Sequence, residues 1–172
     1  PNIGQAMPKV LYPDGRLQPL CKLLPSPKTL VIRRFFGFLK SSLQKENYTY
    51  ELLFSGYDKI MDVPFLSGCF MFLRTEALKK VGLFDERFFL YTEDTDLSRR
   101  IHKHYRTVYY PEASIFHHYQ RGSYRDPWLF WCSIKSAFSY FNKWGWAMDE
   151  ERDDFNKRAL ERLSYCNPTK IM

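Results

Sequence analysis

No two cysteines in this chain stand at metal-binding spacing. Cys21, Cys69, Cys132 and Cys166 lie far apart, with no CxxC and no Cys/His pairing. That pattern argues against a zinc site and a dense disulfide framework, so the four read as reduced thiols in a cytosolic compartment. Long hydrophobic runs are missing too: the nearest approach, residues 63–73, is too short and too interrupted to span a bilayer. The chain opens at Pro1 without a basic stretch followed by an apolar one, so a signal peptide is not expected and a start inside a larger protein is. Asp-x-Asp occurs once, as Asp94-Thr95-Asp96.

What is present suits one packed domain: 172 residues, 45% of them hydrophobic and 18% aromatic. The 26 Lys and Arg exceed the 19 Asp and Glu to give +7, which favours an anionic partner such as a nucleotide diphosphate, a lipid headgroup or nucleic acid. Nucleic-acid binding would need exposed aromatics set among the cations. The aromatics here mostly follow core periodicity, so no nucleic-acid partner is expected.

The densest chemistry lies in Gly82 to Arg100, GLFDERFFLYTEDTDLSRR. Asp85, Glu86, Glu93, Asp94 and Asp96 surround the apolar run Phe88, Phe89, Leu90, Tyr91, and Phe84, Phe88, Phe89 and Tyr91 are expected to form a wall beneath the acids. Carboxylates at the rim of an apolar wall suit general-base or metal chemistry, because the wall sets their pKa and orientation. Thr92 is placed to cap a helix with Glu93 and Asp94 in its first turn, where the macrodipole favours negative charge. Two adjacent acids titrate as a coupled pair. Leu97, Ile101 and Tyr105 form the buried side of that helix, with Arg99 and His102 elsewhere on its surface.

Taken with Ser67-Gly68, Arg74, Val81-Gly82-Leu83-Phe84-Asp85-Glu86, Arg100 and His117, this stretch resembles the acceptor half of the family-2 inverting glycosyltransferases. The resemblance implies an α/β fold, part of a GT-A type (Rossmann-like, mixed-sheet) domain. It implies Asp94 as catalytic base beside Glu93, Ser67 and Gly68 lining the acceptor pocket, Arg100 bracing the acidic pair, and His117 at the metal and diphosphate site. A nucleotide-sugar donor, a glycan or lipid-linked acceptor, hexosyl transfer in bacterial polysaccharide assembly, and a divalent ion (Mn or Mg) follow by the same resemblance. In that family a segment like MPKVLYPDGRLQ follows the donor-binding half and its Asp-x-Asp. Nothing of that half precedes it here, so the metal's main ligands are expected upstream and this chain alone is expected to be inactive. The family's helix commonly ends in Gly where His104 stands, which would put His104 at positive φ.

The remainder frames these residues. Residues 9–12 and 17–20 flank Pro13-Asp14-Gly15 as a hairpin. Leu30, Arg33, Arg34, Phe35, Phe38 and Leu39 make a basic, aromatic amphipathic helix, and residues 40–54 read as a polar, mobile connection. Ser67 to Arg74 reads as a Gly-marked turn entering a strand buried on both faces, followed by a helix from Thr75 as N-cap to Gly82 as C-cap. Residues 106–110 and 114–117 read as two strands, and Arg121, Ser123, Tyr124 and Arg125 as a loop able to close on phosphate. Residues 1–125 would form the acceptor-side domain and 126–172 a helical extension, aromatic from Trp128 to Trp146, charged and peripheral from Glu150 to Tyr165, and frayed after that. Aromatics beside Lys135 and Lys143 also suit an interfacial helix, hence peripheral membrane contact at the inner face. An open sheet edge would allow self-association. The competing reading is a noncatalytic binding or assembly module whose acids brace structure.

Overall fold

In the computed structural model, which describes residues 2–35, 40–119 and 122–163, the chain begins with β1 (Ile3–Leu11) and β2 (Cys21–Lys22). Helices α1 (Pro27–Phe35) and α2 (Lys40–Tyr50) follow, then three short strands, β3 (Met61–Asp62), β4 (Phe65–Leu66) and β5 (Phe72–Leu73). Next come α3 (Thr75–Val81), α4 (Glu93–His102) and β6 (Arg106–Phe116). The chain then turns helical, with α5 (Gly122–Arg125), α6 (Pro127–Trp144) and α7 (Glu150–Arg162).

The fold is α/β with a mixed four-stranded sheet in the order β3-β6-β1-β5. β1 and β6 run parallel at its centre, flanked by antiparallel edges. Pro8 pairs with Tyr110 but Lys9 with Ser114, so residues 111–113 bulge from the ladder at two prolines that cannot donate to it. The two expected strands are therefore one bent strand, which carries its end to His117. β2 and β4 form a separate antiparallel pair, and the expected hairpin is present, with Gly15 at φ 82° and Gln18 donating its amide N–H to the Val10 carbonyl.

Met7 and Val10 of β1, Tyr109 of β6, Leu52, Tyr57 and the short-strand residues Met61 and Leu66 build the core. Ala159 and Leu163, on α7 and just past it, join the same cluster, so α7 packs one side on the core, where its Arg152 is buried as well. α6 starts at a sequence-legible cap, the Asp126 carboxylate accepting from the Trp128 and Leu129 amides.

Several expectations are corrected. β5 is an edge strand rather than a central one: only Gln5 and Ala6 pair with it, and Phe72 is 71% exposed. Residues 40–50 form α2, because Tyr50 and Leu52 bury an apolar edge that the polar composition conceals. Thr75 is the first helical residue of α3, with Arg74 in the N-cap position. Of the proposed wall, Phe88 packs on Tyr140 and Phe141, while Phe84 and Phe89 face solvent. Phe38, Leu39, Arg121 and residues 164–172 lie outside the described residues.

Candidate active site

The acidic pair follows a strained turn of the backbone. Tyr91 and Thr92 both adopt left-handed φ, 68° and 62°, a conformation costing roughly 1–2 kcal/mol per residue for side chains with a Cβ. Two hydrogen bonds to α6 hold it. The Thr92 hydroxyl donates to the Ser136 carbonyl at 3.2 Å, and the Ser136 hydroxyl donates to the Leu90 carbonyl at 2.7 Å. Thr92 thus occupies the N-cap position without capping α4 by its side chain. The strain expected at His104 is found here instead: among the described residues His104 is not at positive φ, and Lys103, which ends α4, is right-handed.

This turn aims Asp94 at the Ser67-Gly68 turn. The Gly68 N–H donates to Asp94 Oδ2 at 2.8 Å, while Oδ1 accepts from the Thr95 N–H at 2.7 Å and the Thr95 hydroxyl at 3.3 Å. Ser67 anchors the turn, donating its amide to the Leu20 carbonyl at 3.2 Å. Gly68 is required by closeness: a Cβ there would stand 3.1 Å from Asp94 Cβ and 3.3 Å from Oδ2. Gly68→Ala is accordingly expected to shift the carboxylate by a few tenths of an ångström and lower turnover of the complete protein roughly tenfold. Unchanged kcat would show that this contact does not set Asp94's position.

Glu93 differs in character. It is partly buried, its Oε2 has no hydrogen-bond partner, and burial, reinforced by the Asp94 charge, pushes its pKa up from 4.5 to about 7. A carboxyl raised this way is favoured protonated in the fold, so its stabilising contribution is full below pH 4.5 and is lost as pH rises through about 7. His102 acts oppositely: burial lowers its pKa to about 4, so its contribution is lost on acidification. Comparing Glu93→Gln with the parent isolates the glutamate. The variant's stability advantage in urea denaturation is expected to grow by about 1–2 kcal/mol between about pH 4 and pH 8, after allowance for solvent screening. A flat difference would contradict the raised pKa.

Beyond the acids, the end of β6 brings His117 against Gln18. The buried Gln18 amide donates to the Leu11 and His117 carbonyls at 3.2 and 2.5 Å, which turns its Oε1 toward His117 Nδ1 at 3.0 Å. Nδ1 then carries a proton, so that in the neutral ring Nε2 is the acceptor.

Residues 35–165 match the family described as Glycosyl transferase family group 2. The chain belongs to that family. It is also 33% identical over 129 residues to the N-acetylglucosaminyl-diphospho-decaprenol L-rhamnosyltransferases of two Mycobacterium tuberculosis strains, CDC 1551 / Oshkosh and ATCC 25618 / H37Rv. Those matches cover 74% of this chain but 41% of each relative. No solved structure matches.

Enzymes of this glycosyl transferase family generally use a divalent ion. Among the described residues no three His, Cys, Asp or Glu side chains gather to hold one. Nothing among the described residues completes a metal site around His117. Asp96 is not available as a second ligand: fully buried, it accepts from Arg100 Nε at 2.8 Å, Lys143 Nζ at 2.7 Å and Trp144 Nε1 at 2.8 Å. Arg100 directs three further donors to the Val81, Gly82 and Leu83 carbonyls, so it clamps α3 to α4 and contacts Asp96 rather than Glu93 or Asp94. Lys143 also reaches Asp85 at 2.8 Å, and the Arg87 and Lys143 bonds hold that carboxyl well below the usual range.

Three residues escaped the sequence. Gln18 is one polar residue after a hairpin, with no motif to mark it. Arg99, read as lying on the surface, is buried against Trp144 and paired with Asp149. His102 is likewise covered, its ring meeting Phe155 edge-on.

Proposed function

We propose that this chain is the acceptor-side portion of a glycosyltransferase that moves a sugar from a nucleotide-sugar donor to a hydroxyl of a glycan or lipid-linked acceptor, with inversion. The observation that carries this is the Asp94 carboxylate, oriented by the Gly68 N–H at 2.8 Å in the first turn of α4. In a single displacement, Asp94 takes the proton from the acceptor hydroxyl as its oxygen attacks the anomeric carbon and the nucleoside diphosphate departs. Glu93 sits beside it as a carboxyl favoured neutral, limiting like-charge repulsion and able to donate a hydrogen bond to the acceptor. Ser67 and Gly68 form the adjacent turn. His117 Nε2 would supply one ligand to a divalent ion, Mn or Mg, whose chemistry is to neutralise the leaving diphosphate.

Residues that bind the donor are taken to lie outside this chain, in keeping with its 41% coverage of the mycobacterial relatives. β5 leaves a sheet edge to which a further strand, from that half or from a second copy, could add. Among the described residues no helix is long and apolar enough to cross a membrane. On α6, Trp128 and Trp131 are 67% and 64% exposed, which supports contact with a membrane surface from the cytoplasmic side. The test is transfer by the complete protein from labelled nucleoside-diphosphate sugars to polyprenyl-diphosphate-linked and soluble glycan acceptors. Product with either class supports the function, and hydrolysis or silence with every donor and acceptor contradicts it.

A further inference from the structure

An open cavity of about 590 Å³ lies where α1, α2 and α7 meet, and its lining includes none of Glu93, Asp94 and His117. Its floor is tied together by a pair of hydrogen bonds. The Leu24 N–H donates to Asn156 Oδ1 at 2.8 Å, and Asn156 Nδ2 donates back to the Leu24 carbonyl at 2.9 Å, joining the segment ahead of α1 to α7. Arg152 of α7 lines the cavity and is only 7% exposed. Its Nε donates to Asp153 Oδ1 at 2.9 Å, but its Nη1 is buried and has no hydrogen-bond partner among the described residues. A guanidinium taken out of water with a donor unused is costly, and folds rarely keep one without a ligand or an ordered water. The start of α1 faces the same space. Ser26 caps it, the hydroxyl oxygen accepting from the Thr29 N–H at 3.1 Å, and the first turn carries no acid, so no side chain there offsets the positive end of the helix dipole. Lys28 of that turn and Lys45 of α2 line the cavity as well. The acids in the lining are both engaged, Glu46 by the Thr29 hydroxyl at 2.9 Å and Asp153 by Arg152.

We propose that this cavity is a phosphate site, with Arg152 Nη1 as its buried anchor and Lys28, Lys45 and the α1 N-terminus completing the donor set. The site does not depend on sugar transfer being the chain's activity. Three features select a phosphate ester. Cationic donors approach from three separate helices, which suits a tetrahedral oxyanion better than a flat carboxylate. Three cations and a helix N-terminus outweigh the two acids, as a group carrying more than one negative charge requires. At about 590 Å³ the cavity is larger than a phosphate alone, which leaves room for the molecule or headgroup that carries it.

Calorimetric titration of the complete protein with inorganic phosphate tests it, beside two variants. Arg152→Met keeps the apolar length of the side chain without its donors, and Lys28→Glu reverses one charge at the exposed rim. Each is expected to weaken phosphate binding roughly tenfold or more. Phosphate is expected to raise the melting temperature of the parent and of neither variant, and sodium chloride at the same ionic strength to give no such difference. Lys28→Glu adds an acid to the first turn of α1, which favours that helix, so weaker binding there is not a loss of fold. Parental affinity in either folded variant, or a melting-temperature rise that sodium chloride reproduces, overturns the site; if Arg152→Met does not fold, Lys28→Glu decides alone. Sedimentation with phosphatidylcholine vesicles, with and without phosphatidic acid, separates the two sources of the phosphate. Binding to phosphatidic acid that Arg152→Met abolishes makes it a lipid headgroup, and sedimentation that is absent or independent of Arg152 makes it a soluble phosphate ester.

Discussion

Asp94→Asn is expected to reduce kcat of the complete protein by roughly 100- to 10,000-fold, the usual contribution of a positioned general base, with little change in melting temperature. The amide keeps an oxygen for the Gly68 N–H, so the turn facing α4 retains its 2.8 Å contact, while the Thr95 N–H and hydroxyl lose Oδ1 as acceptor, a cost confined to the first turn of α4. What disappears is the ability to accept the acceptor's proton. Glu93 does not replace it: with its pKa near 7 it is largely protonated below neutrality, and its unpartnered Oε2 is buried. Residual activity of the variant should therefore rise with pH as Glu93 ionises, at a lower pH than Glu93 does in the parent because the Asp94 charge that helps to raise its pKa is gone, measured as a pH–rate profile beside the parent's. A noncatalytic module predicts the reverse pattern, stability or assembly lost and no turnover to lose. Parental kcat in a folded Asp94→Asn protein would remove Asp94 from the chemistry.

The largest stability effect is expected at Arg99 and Asp149. The guanidinium is buried and forks onto the carboxylate at 2.5 and 2.7 Å, donates to Glu151 at 3.1 Å, and stacks 4.0 Å from the Trp144 ring centroid. Burial opposes charge on Arg99, and the Asp149 hydrogen bond overrides it. Removing one partner strands the other in a low-dielectric site, so Arg99→Ala or Asp149→Ala should each cost about 3–5 kcal/mol, equivalent to a melting-temperature loss on the order of 10 °C for a chain this size. Asp149 also accepts from the Arg152 amide at 3.0 Å to cap α7. Asp149→Asn, which keeps a cap acceptor but not the charge, separates the two roles: it should still lose most of the stability, because capping is worth only about 1 kcal/mol. A loss of only that size in Asp149→Ala would contradict the buried-pair account. Removing both partners together, with apolar replacements of similar size, should cost less than either single change.

Much of the site could be read before any coordinates. Adjacent acids ahead of a helical apolar pattern place Glu93 and Asp94 in a first turn, and Asp14-Gly15 marks the hairpin that carries Gln18 to β6. Other features leave no local trace. Tyr91 and Thr92 are an aromatic and a β-branched residue, neither favoured at positive φ, and hydrogen bonds with α6, more than 40 positions away, hold the turn. Arg99 reads as solvated until α6 and α7 cover it. β5 has two paired residues, and a run of that length, Phe-Leu, has no periodicity by which edge and centre differ. In each case a tertiary contact decides what a short window does not contain.

The central claim is a single displacement with Asp94 as base, and the anomeric configuration of the first product tests it most directly. Proton NMR of the glycoside formed by the complete protein should show the configuration opposite to that of the donor's anomeric carbon. Retained configuration would require a second displacement or a different attack geometry, and would contradict the role assigned to Asp94.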